Sequence, residues 1–202
     1  LGVSGETAFP ILGRLAEQGV TVDAYWADDA RVDERAAEQT AAESITKVRS
    51  SSAWDGLYFG GTAFKKQRTV EPANYREAAG IAAKFMDVVT TSGIATGQSA
   101  QIQKIHDFRE GVADRPLAIA SGITPENVGD YMAQADAFLV ATGVNYPDDF
   151  YNLDPRRLRQ LLGKVRQFGA QGCDDEETAC GKSGDEDWYL RHMAPNVKDS
   201  KM

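Results

Sequence analysis

Glycine beside a small hydroxyl residue follows three successive apolar runs of this chain. The runs at 87–91, 117–120 and 138–141 are followed by Ser92-Gly93, Ser121-Gly122 and Thr142-Gly143. Glycine lets the backbone turn toward a ligand without steric obstruction, so that its N–H groups can approach an anion. Alternatively, the glycines only make tight strand-to-helix turns. The predicted phosphate-binding residues are Ser92, Gly93, Thr96, Gly97, Ser121, Gly122, Thr142 and Gly143.

The second of these loops continues into a pattern typical of a helix start. Thr124 stands at the N-cap position, Pro125 at the first helical position and Glu126 in the first turn, which predicts a helix over 125–133. The N–H groups at a helix N-terminus add to a phosphate site. In TIM barrels such a site commonly follows strands seven and eight, so the two last loops indicate a position in a barrel as well as a ligand.

Lys65 follows another apolar run, which ends in Tyr58-Phe-Gly-Gly-Thr-Ala-Phe. A lysine just past a barrel strand faces the active-site mouth, where it can neutralise a phosphate or carboxylate or form a Schiff base if burial lowers its pKa. We predict a catalytic role for Lys65. Its neighbour Lys66 is expected to be solvated, and a solvated surface pair is the alternative for both.

Asp28 and Asp29 follow the first strand-like run and form a carboxylate pair. The pair could act as a general base, hold a divalent metal or position a substrate hydroxyl. Capping of a helix that begins near Ala30 is the competing interpretation. We predict Asp28 as the catalytic base, and we predict no metal site because the two histidines, His106 and His192, stand far apart without a ligand motif.

The elements that must position these residues alternate between strand and helix. Buried strands are predicted at Val20–Trp26, Gly56–Gly60, Asp87–Thr91, Leu117–Ala120 and Phe138–Ala141. Helices are predicted at Thr7–Gln18, Asp33–Arg49, Pro72–Lys84, Ala100–Gly111, Pro125–Ala133 and Pro155–Phe168. Such alternation predicts an α/β fold with a parallel sheet and helices outside it.

The predicted fold class is a TIM (βα)8-type barrel that lacks about three N-terminal strands in this chain. A full barrel takes about 250 residues, or roughly 31 per unit, so residues 1–170 supply about five units. Residues 171–202 are acidic and glycine-containing, which predicts a mobile tail with 188–190 docking back on the barrel. The tail carries Cys173 and Cys180, whose spacing fits neither a zinc pair nor a disulfide framework.

Composition narrows the classes of partner. The net charge of −8 and the pI near 4.8 argue against nucleic-acid binding. No apolar run reaches the ~20 residues that a membrane span needs, and without a signal-peptide pattern the expected location is the cytoplasm. The unpaired sheet edges of five strands predict aggregation, homo-oligomer formation or a longer polypeptide.

Four segments in order resemble the BtpA family of predicted (βα)8 barrels, whose founding member is linked to photosystem I biogenesis. They are Phe59-Gly-Gly-Thr-Ala-Phe-Lys-Lys-Gln67, Met86-Asp-Val-Val-Thr-Thr-Ser-Gly-Ile-Ala-Thr-Gly97, Ala118-Ile-Ala-Ser-Gly-Ile-Thr-Pro-Glu-Asn-Val128 and Asp136-Ala-Phe-Leu-Val-Ala-Thr-Gly143. The resemblance spans roughly residues 5–168. It implies a ribulose-phosphate-binding type of barrel, with Lys65 at the position of the family's lysine and Lys66 in place of a histidine.

The segment Thr124–Val128 also resembles phosphoribosylanthranilate isomerase, although the rest of that enzyme's acid/base pattern cannot be located. Taken together, residues and resemblance predict a protein that binds a small phosphorylated metabolite, with a sugar-derived one as a candidate. We expect an isomerase, lyase or transferase of unknown cofactor. The alternative is a non-enzymatic assembly or regulatory factor such as a photosystem I biogenesis protein.

Overall fold

Five parallel strands form one sheet in the computed structural model, which describes residues 3–173. The strands are β1 (Ala24–Ala27), β2 (Leu57–Gly61), β3 (Val88–Thr91), β4 (Leu117–Ala120) and β5 (Ala137–Leu139). Each strand pairs with its neighbours in the sequence, in the order β1-β2-β3-β4-β5. The predicted parallel α/β sheet is therefore confirmed, and β4 has the predicted bounds.

Five helices connect or flank the strands. They are α1 (Gly5–Glu17), α2 (Thr40–Ser50), α3 (Tyr75–Ala82), α4 (Ile102–Val112) and α5 (Pro155–Cys173), with 3-10 turns at Pro72–Asn74, Val128–Asp130 and Thr142–Val144. None of the helices in the described residues is long and apolar enough to cross a membrane. The chain divides at Phe168 into two units, and the sheet lies in the first. The tail was predicted to begin at residue 171, but residues 171–173 belong to α5. The remainder of the predicted tail, with Cys180 and His192, lies outside the described residues.

The core packs around the central strands. Every residue of β3 and β4 is buried, as expected of parallel strands covered on both faces. The side chains of Phe9, Phe108 and Leu117 are fully buried in it. The edge strand β5 is only partly buried along its length.

A repeated Arg–Asp contact fixes the amino ends of the strands. Arg49 at the end of α2 donates to the Asp87 carboxylate at 2.6 Å, and the same oxygen accepts the Tyr58 N–H at 2.7 Å. Arg109 of α4 and Asp136 repeat the arrangement two strands later, with the backbone N–H of β4 as the third partner. This polar structure leaves the opposite, carboxyl ends of the strands free for ligand binding.

The bounds of every predicted helix differ from those observed, and two of the differences are large. The helix predicted from Asp33 begins at Thr40, because the Asp33 carboxylate accepts the Arg35 N–H at 3.1 Å and its carbonyl accepts the Gln39 side chain at 2.8 Å. Such local side-chain bonds compete with helical ones. A helix starting near Ala30 is therefore absent, and the capping interpretation of Asp28 and Asp29 is wrong.

The predicted helix 125–133 is a 3-10 turn at Val128–Asp130. The start signal itself forms: Thr124 Oγ1 accepts the N–H groups of residues 126 and 127, and the Asn127 amide oxygen accepts the Thr124 N–H at 2.8 Å. Gly129 weakens helix propagation, and the Tyr131 hydroxyl is bonded to the Ala100 carbonyl at 2.6 Å. No α-helix N-terminus is therefore available at Thr124 for an anion.

Candidate functional site

A cleft of about 560 Å³ lies among the loops that follow β3, β4 and β5. Half of the predicted phosphate-binding residues line it: Gly97, Gly122, Thr142 and Gly143. The remaining walls are Thr124, Asn145, residues 146–150 and Arg157. We call this the cleft. Because all five strands are parallel, these loops meet at one edge of the sheet, where ligands bind in α/β folds.

Close packing between loops explains two of the glycines in the cleft. Gly122 has a φ of +73°, and a Cβ there would overlap the main chain of Gln98 and Ser99. A Cβ at Gly143 would overlap the Ile123 carbonyl. Within the described residues the Gly122 and Gly143 N–H groups donate to no acceptor, which leaves them for a ligand. The structure is therefore compatible with both interpretations of these glycines, tight packing of the loops and anion binding.

Arg157 is the cation of the cleft, and the sequence analysis missed it. Its Nε donates to the Gly143 carbonyl at 3.0 Å, and its Nη1 and Nη2 donate to the Glu126 carboxylate at 3.0 and 2.8 Å. This fork, together with the Thr124 hydroxyl, holds the pKa of Glu126 well below its usual value. Three of the guanidinium's five N–H donors are used in this way, so the others can meet an anion. The sequence signal that could have identified Arg157 is its position in the first turn of the helix that begins after Asp154-Pro155.

Hydrogen-bond acceptors also line the cleft. The Asn145 amide donates to the carbonyls of Asp149 and Phe150 at 3.1 and 2.9 Å, which fixes its orientation. Its amide oxygen is buried and has no partner in the described residues. Asp148 adds a carboxylate. The cleft therefore offers Arg157 and main-chain donors to an anionic group, and acceptors to hydroxyl or amino groups.

Lys65 lies beside the cleft and contacts two of the predicted serines. Its Nζ donates to Ser121 Oγ at 3.2 Å, and its backbone N–H donates to Ser92 Oγ at 2.9 Å. Ser121 Oγ also accepts the Gly97 N–H at 3.2 Å. Ser121 has a φ of +73°, an uncommon conformation for a residue with a side chain. The three loops after β2, β3 and β4 are thus joined at one hydroxyl.

Asp28 and Thr96 line neither the cleft nor the pocket described next. The Asp28 carbonyl accepts the Gln67 amide at 2.5 Å, so the β1 loop is joined to the Lys65 loop through the main chain. Asp29 accepts the Arg31 N–H at 2.8 Å and forms an exposed ion pair with the same residue. The catalytic roles of Lys65 and Asp28 stay predictions.

A second, smaller pocket of about 90 Å³ lies between the β2 loop, the β3 loop and helices α3 and α4. Four basic side chains line it: Lys65, Lys66, Arg68 and Lys104. We call it the basic pocket. Gly93, predicted to bind phosphate with the cleft residues, lies here instead. The basic pocket and the cleft share no lining residue.

The burial of Lys104 could not be predicted from the apolar pattern of its helix. Ile102, Ile105 and Phe108 recur at near-helical spacing, which favours them as the buried face of α4. In the structure, however, Ile102 is 48% exposed and Lys104 only 7%. Lys104 Nζ donates to the carbonyls of Ala63 and Ser92 at 2.6 and 2.7 Å. Burial lowers the pKa of this lysine to about 8.

No cluster of three or more metal-ligating side chains occurs within residues 3–173. His106 is exposed on α4, with its Nδ1 3.6 Å from the Glu110 carboxylate.

Neither protein-family models nor curated proteins match this sequence. Among solved structures, the fold is similar to the crystal structure of phosphoribosyl anthranilate isomerase from Thermus thermophilus, with a TM-score of 0.49 and 15% sequence identity. The match covers 82% of this chain and 69% of that one. Site residues cannot be carried from one chain to the other at this identity.

Proposed function

We propose that this chain binds a small phosphorylated ligand in the cleft and acts on it as an isomerase, lyase or transferase. The observation that carries the proposal is the position of Arg157 among unbonded glycine N–H groups at the carboxyl ends of parallel strands. Arginine and main-chain N–H groups together match the geometry of a phosphate. The acceptors at Asn145 and Asp148 suit a ligand that also carries hydroxyl groups, as a sugar-derived phosphate does.

Within this proposal the chain is part of a TIM (βα)8-type barrel of the BtpA type. Lys65 supplies positive charge or a nucleophilic amine near the ligand, since its Nζ is bonded to Ser121, the neighbour of Gly122 in the cleft. Asp28 acts as a base if the ligand or a loop movement brings it within reach. Lys65 is better supported than Asp28, because only Lys65 has a side-chain contact with a loop that lines the cleft.

The experiment compares Arg157→Gln with Arg156→Gln. Both remove one positive charge from the first turn of α5, but Arg156 is paired with Asp154 and does not line the cleft. A lost charged hydrogen bond costs about 1.5–3 kcal/mol. We therefore expect Arg157→Gln to weaken binding of phosphorylated metabolites roughly 10- to 100-fold, and Arg156→Gln to leave it unchanged, by calorimetry on hits from a thermal-shift screen.

Equal affinities in the two variants would overturn the cleft as the binding site. Turnover of a bound metabolite supports the enzyme. Binding in the cleft without turnover of any metabolite in the screen favours the alternative of a regulatory or assembly factor that senses a phosphorylated compound.

A further inference from the structure

The basic pocket gathers positive charge without a carboxylate among the described residues that line it. Lys65, Lys66, Arg68 and Lys104 contribute four cationic groups. Arg68 is neutralised by the carboxylates of Asp33 and Glu34. The three lysines have no ion pair to a carboxylate within residues 3–173. Like charges this close repel one another, so the arrangement favours a bound anion.

Lys104 is the strongest single indication that the basic pocket binds an anion. Its Nζ is satisfied by two carbonyls and lies 5.2 and 5.6 Å from the rings of Tyr75 and Phe108. These contacts use two of its three protons and supply partial negative charge, but no full counter-charge. A buried ammonium without a counter-ion is costly, and its lowered pKa, caused by desolvation alone, reflects that cost.

The size and access of the basic pocket limit what could bind. Its volume of about 90 Å³ is small beside the 560 Å³ of the cleft, which suits a compact oxyanion. Lys66 is exposed at the rim, with a φ of +65° that turns the β2 loop there. Gly93 also lines the pocket, and the absence of a Cβ there lets the main chain of Gln98 and Ser99 pack against it.

We propose that the basic pocket is an oxyanion site, separate from the cleft, that takes a phosphate, sulfate or carboxylate group against Lys65, Lys66 and Lys104. Lys65 is assigned to both sites, since its Nζ is bonded to Ser121 beside the cleft. The inference does not rest on the proposed function, because Lys66 and Lys104 line only the basic pocket. The anion supplies the counter-charge of Lys104 and ties the β2 and β3 loops together. Its source is either a free ion or a second anionic group on the ligand of the cleft.

The test is titration of the full chain with sodium sulfate by calorimetry, at constant ionic strength maintained with chloride. The variants are Lys66→Gln and Lys104→Met, with Lys84→Gln as the control that removes an exposed lysine outside both sites. We expect saturable sulfate binding in the wild type and Lys84→Gln proteins, and one remaining sulfate site in Arg157→Gln, in which the cleft has lost its cation. Lys66→Gln and Lys104→Met should each weaken it at least tenfold.

Sulfate affinity in Lys66→Gln equal to that in Lys84→Gln would overturn the proposal, as would sulfate heats no larger than those of chloride. Lys66 is exposed, so its substitution keeps the test valid even if Lys104→Met fails to fold. Loss of sulfate binding in Arg157→Gln alone would also overturn it, because the anion would then lie in the cleft. Weak phosphate-ester binding in the wild type would contradict only the proposed function.

The two sources of the anion are separated by competition. An alkyl monophosphate and the corresponding bisphosphate are each titrated into protein saturated with sulfate. If only the bisphosphate displaces sulfate, and if both Arg157→Gln and Lys66→Gln weaken bisphosphate binding, then the basic pocket binds a second anionic group of the ligand in the cleft. If sulfate stays bound in the presence of the monophosphate and of the bisphosphate, then the basic pocket binds a free ion.

Discussion

At the scale of single residues, Lys104 has the most distinctive environment in the described part of the chain. Its pKa of about 8 in the folded protein lies below the ordinary lysine value of 10.5. Between these pH values the unfolded chain binds more protons than the folded one, so the free energy of unfolding rises with pH. The charged lysine thus lowers the free energy of unfolding at neutral pH, and this destabilisation decreases as the lysine loses its proton.

We predict that Lys104→Met abolishes this rise. The wild-type free energy of unfolding should increase relative to the variant by up to about 1.4 kcal/mol per pH unit above pH 8. Urea unfolding at pH 7.5, 8.5 and 9.5 measures the difference. Lys84→Met, at an exposed lysine, should follow the wild type. Parallel pH profiles for the wild type and Lys104→Met would contradict the assigned burial.

At the scale of elements, the loops after the strands depend on one another for their conformation. Ser121 Oγ accepts from both Lys65 and Gly97, and Gly122 touches the main chain at Gln98 and Ser99. Such loop-to-loop packing gives the cleft a preformed wall, which lowers the ordering cost of binding. Substitution of a glycine here therefore affects packing before it affects any ligand.

Gly97 and Gly122 allow these two effects to be separated. Both have a φ above +70°, but a Cβ at Gly97 meets no atom within 4 Å, whereas one at Gly122 overlaps the backbone. Gly97→Ala should cost about 1 kcal/mol for the left-handed conformation. Gly122→Ala should cost roughly 1–3 kcal/mol more, as measured by chemical denaturation. Equal losses would mean that the loop after β3 moves aside freely.

At the scale of the whole molecule, β1 and β5 each pair on one side only within the described residues. The Leu57 N–H donates to the Asp23 carbonyl, and in a parallel strand the N–H and C=O of alternate residues point the same way. Tyr25 therefore bonds toward β2, while Ala24 and Trp26 direct their backbone groups to the open edge. An open edge favours pairing with another chain.

Ala24→Pro tests the predicted homo-oligomer. Proline removes an N–H on the open side and should reduce concentration-dependent self-association in sedimentation velocity while the thermal midpoint changes little. Tyr25→Pro is the control, because it breaks the pairing with β2 and should lower the thermal midpoint by several degrees. A wild-type protein that stays monomeric at every concentration would show the oligomer prediction to be wrong.

Local signals in the sequence were enough for the order of the elements and for much of the cleft. Apolar runs such as 117–120 and start signals such as Asp154-Pro155 act over a few residues, so strands and helices could be predicted closely. The hydroxyl-glycine pairs marked Gly122 and Gly143 correctly as residues at the strand ends. The α-helix predicted at 125–133 does not form, although its N-cap does. Whether the helix continues past its first turn depends on contacts distant in the sequence, such as that of Tyr131 with Ala100.

Local sequence patterns specify the α/β class, the strands and the loops that follow them, because these depend on the period and composition of neighbouring residues. Tertiary structure alone decided which charged groups meet. Arg157 reaches Glu126 across 31 positions, and Lys104 reaches Ala63 across 41. The tertiary structure also divided the predicted site into a cleft and a basic pocket. The placement of side chains from different loops depends on how strands and helices pack against one another, and no local pattern encodes that packing.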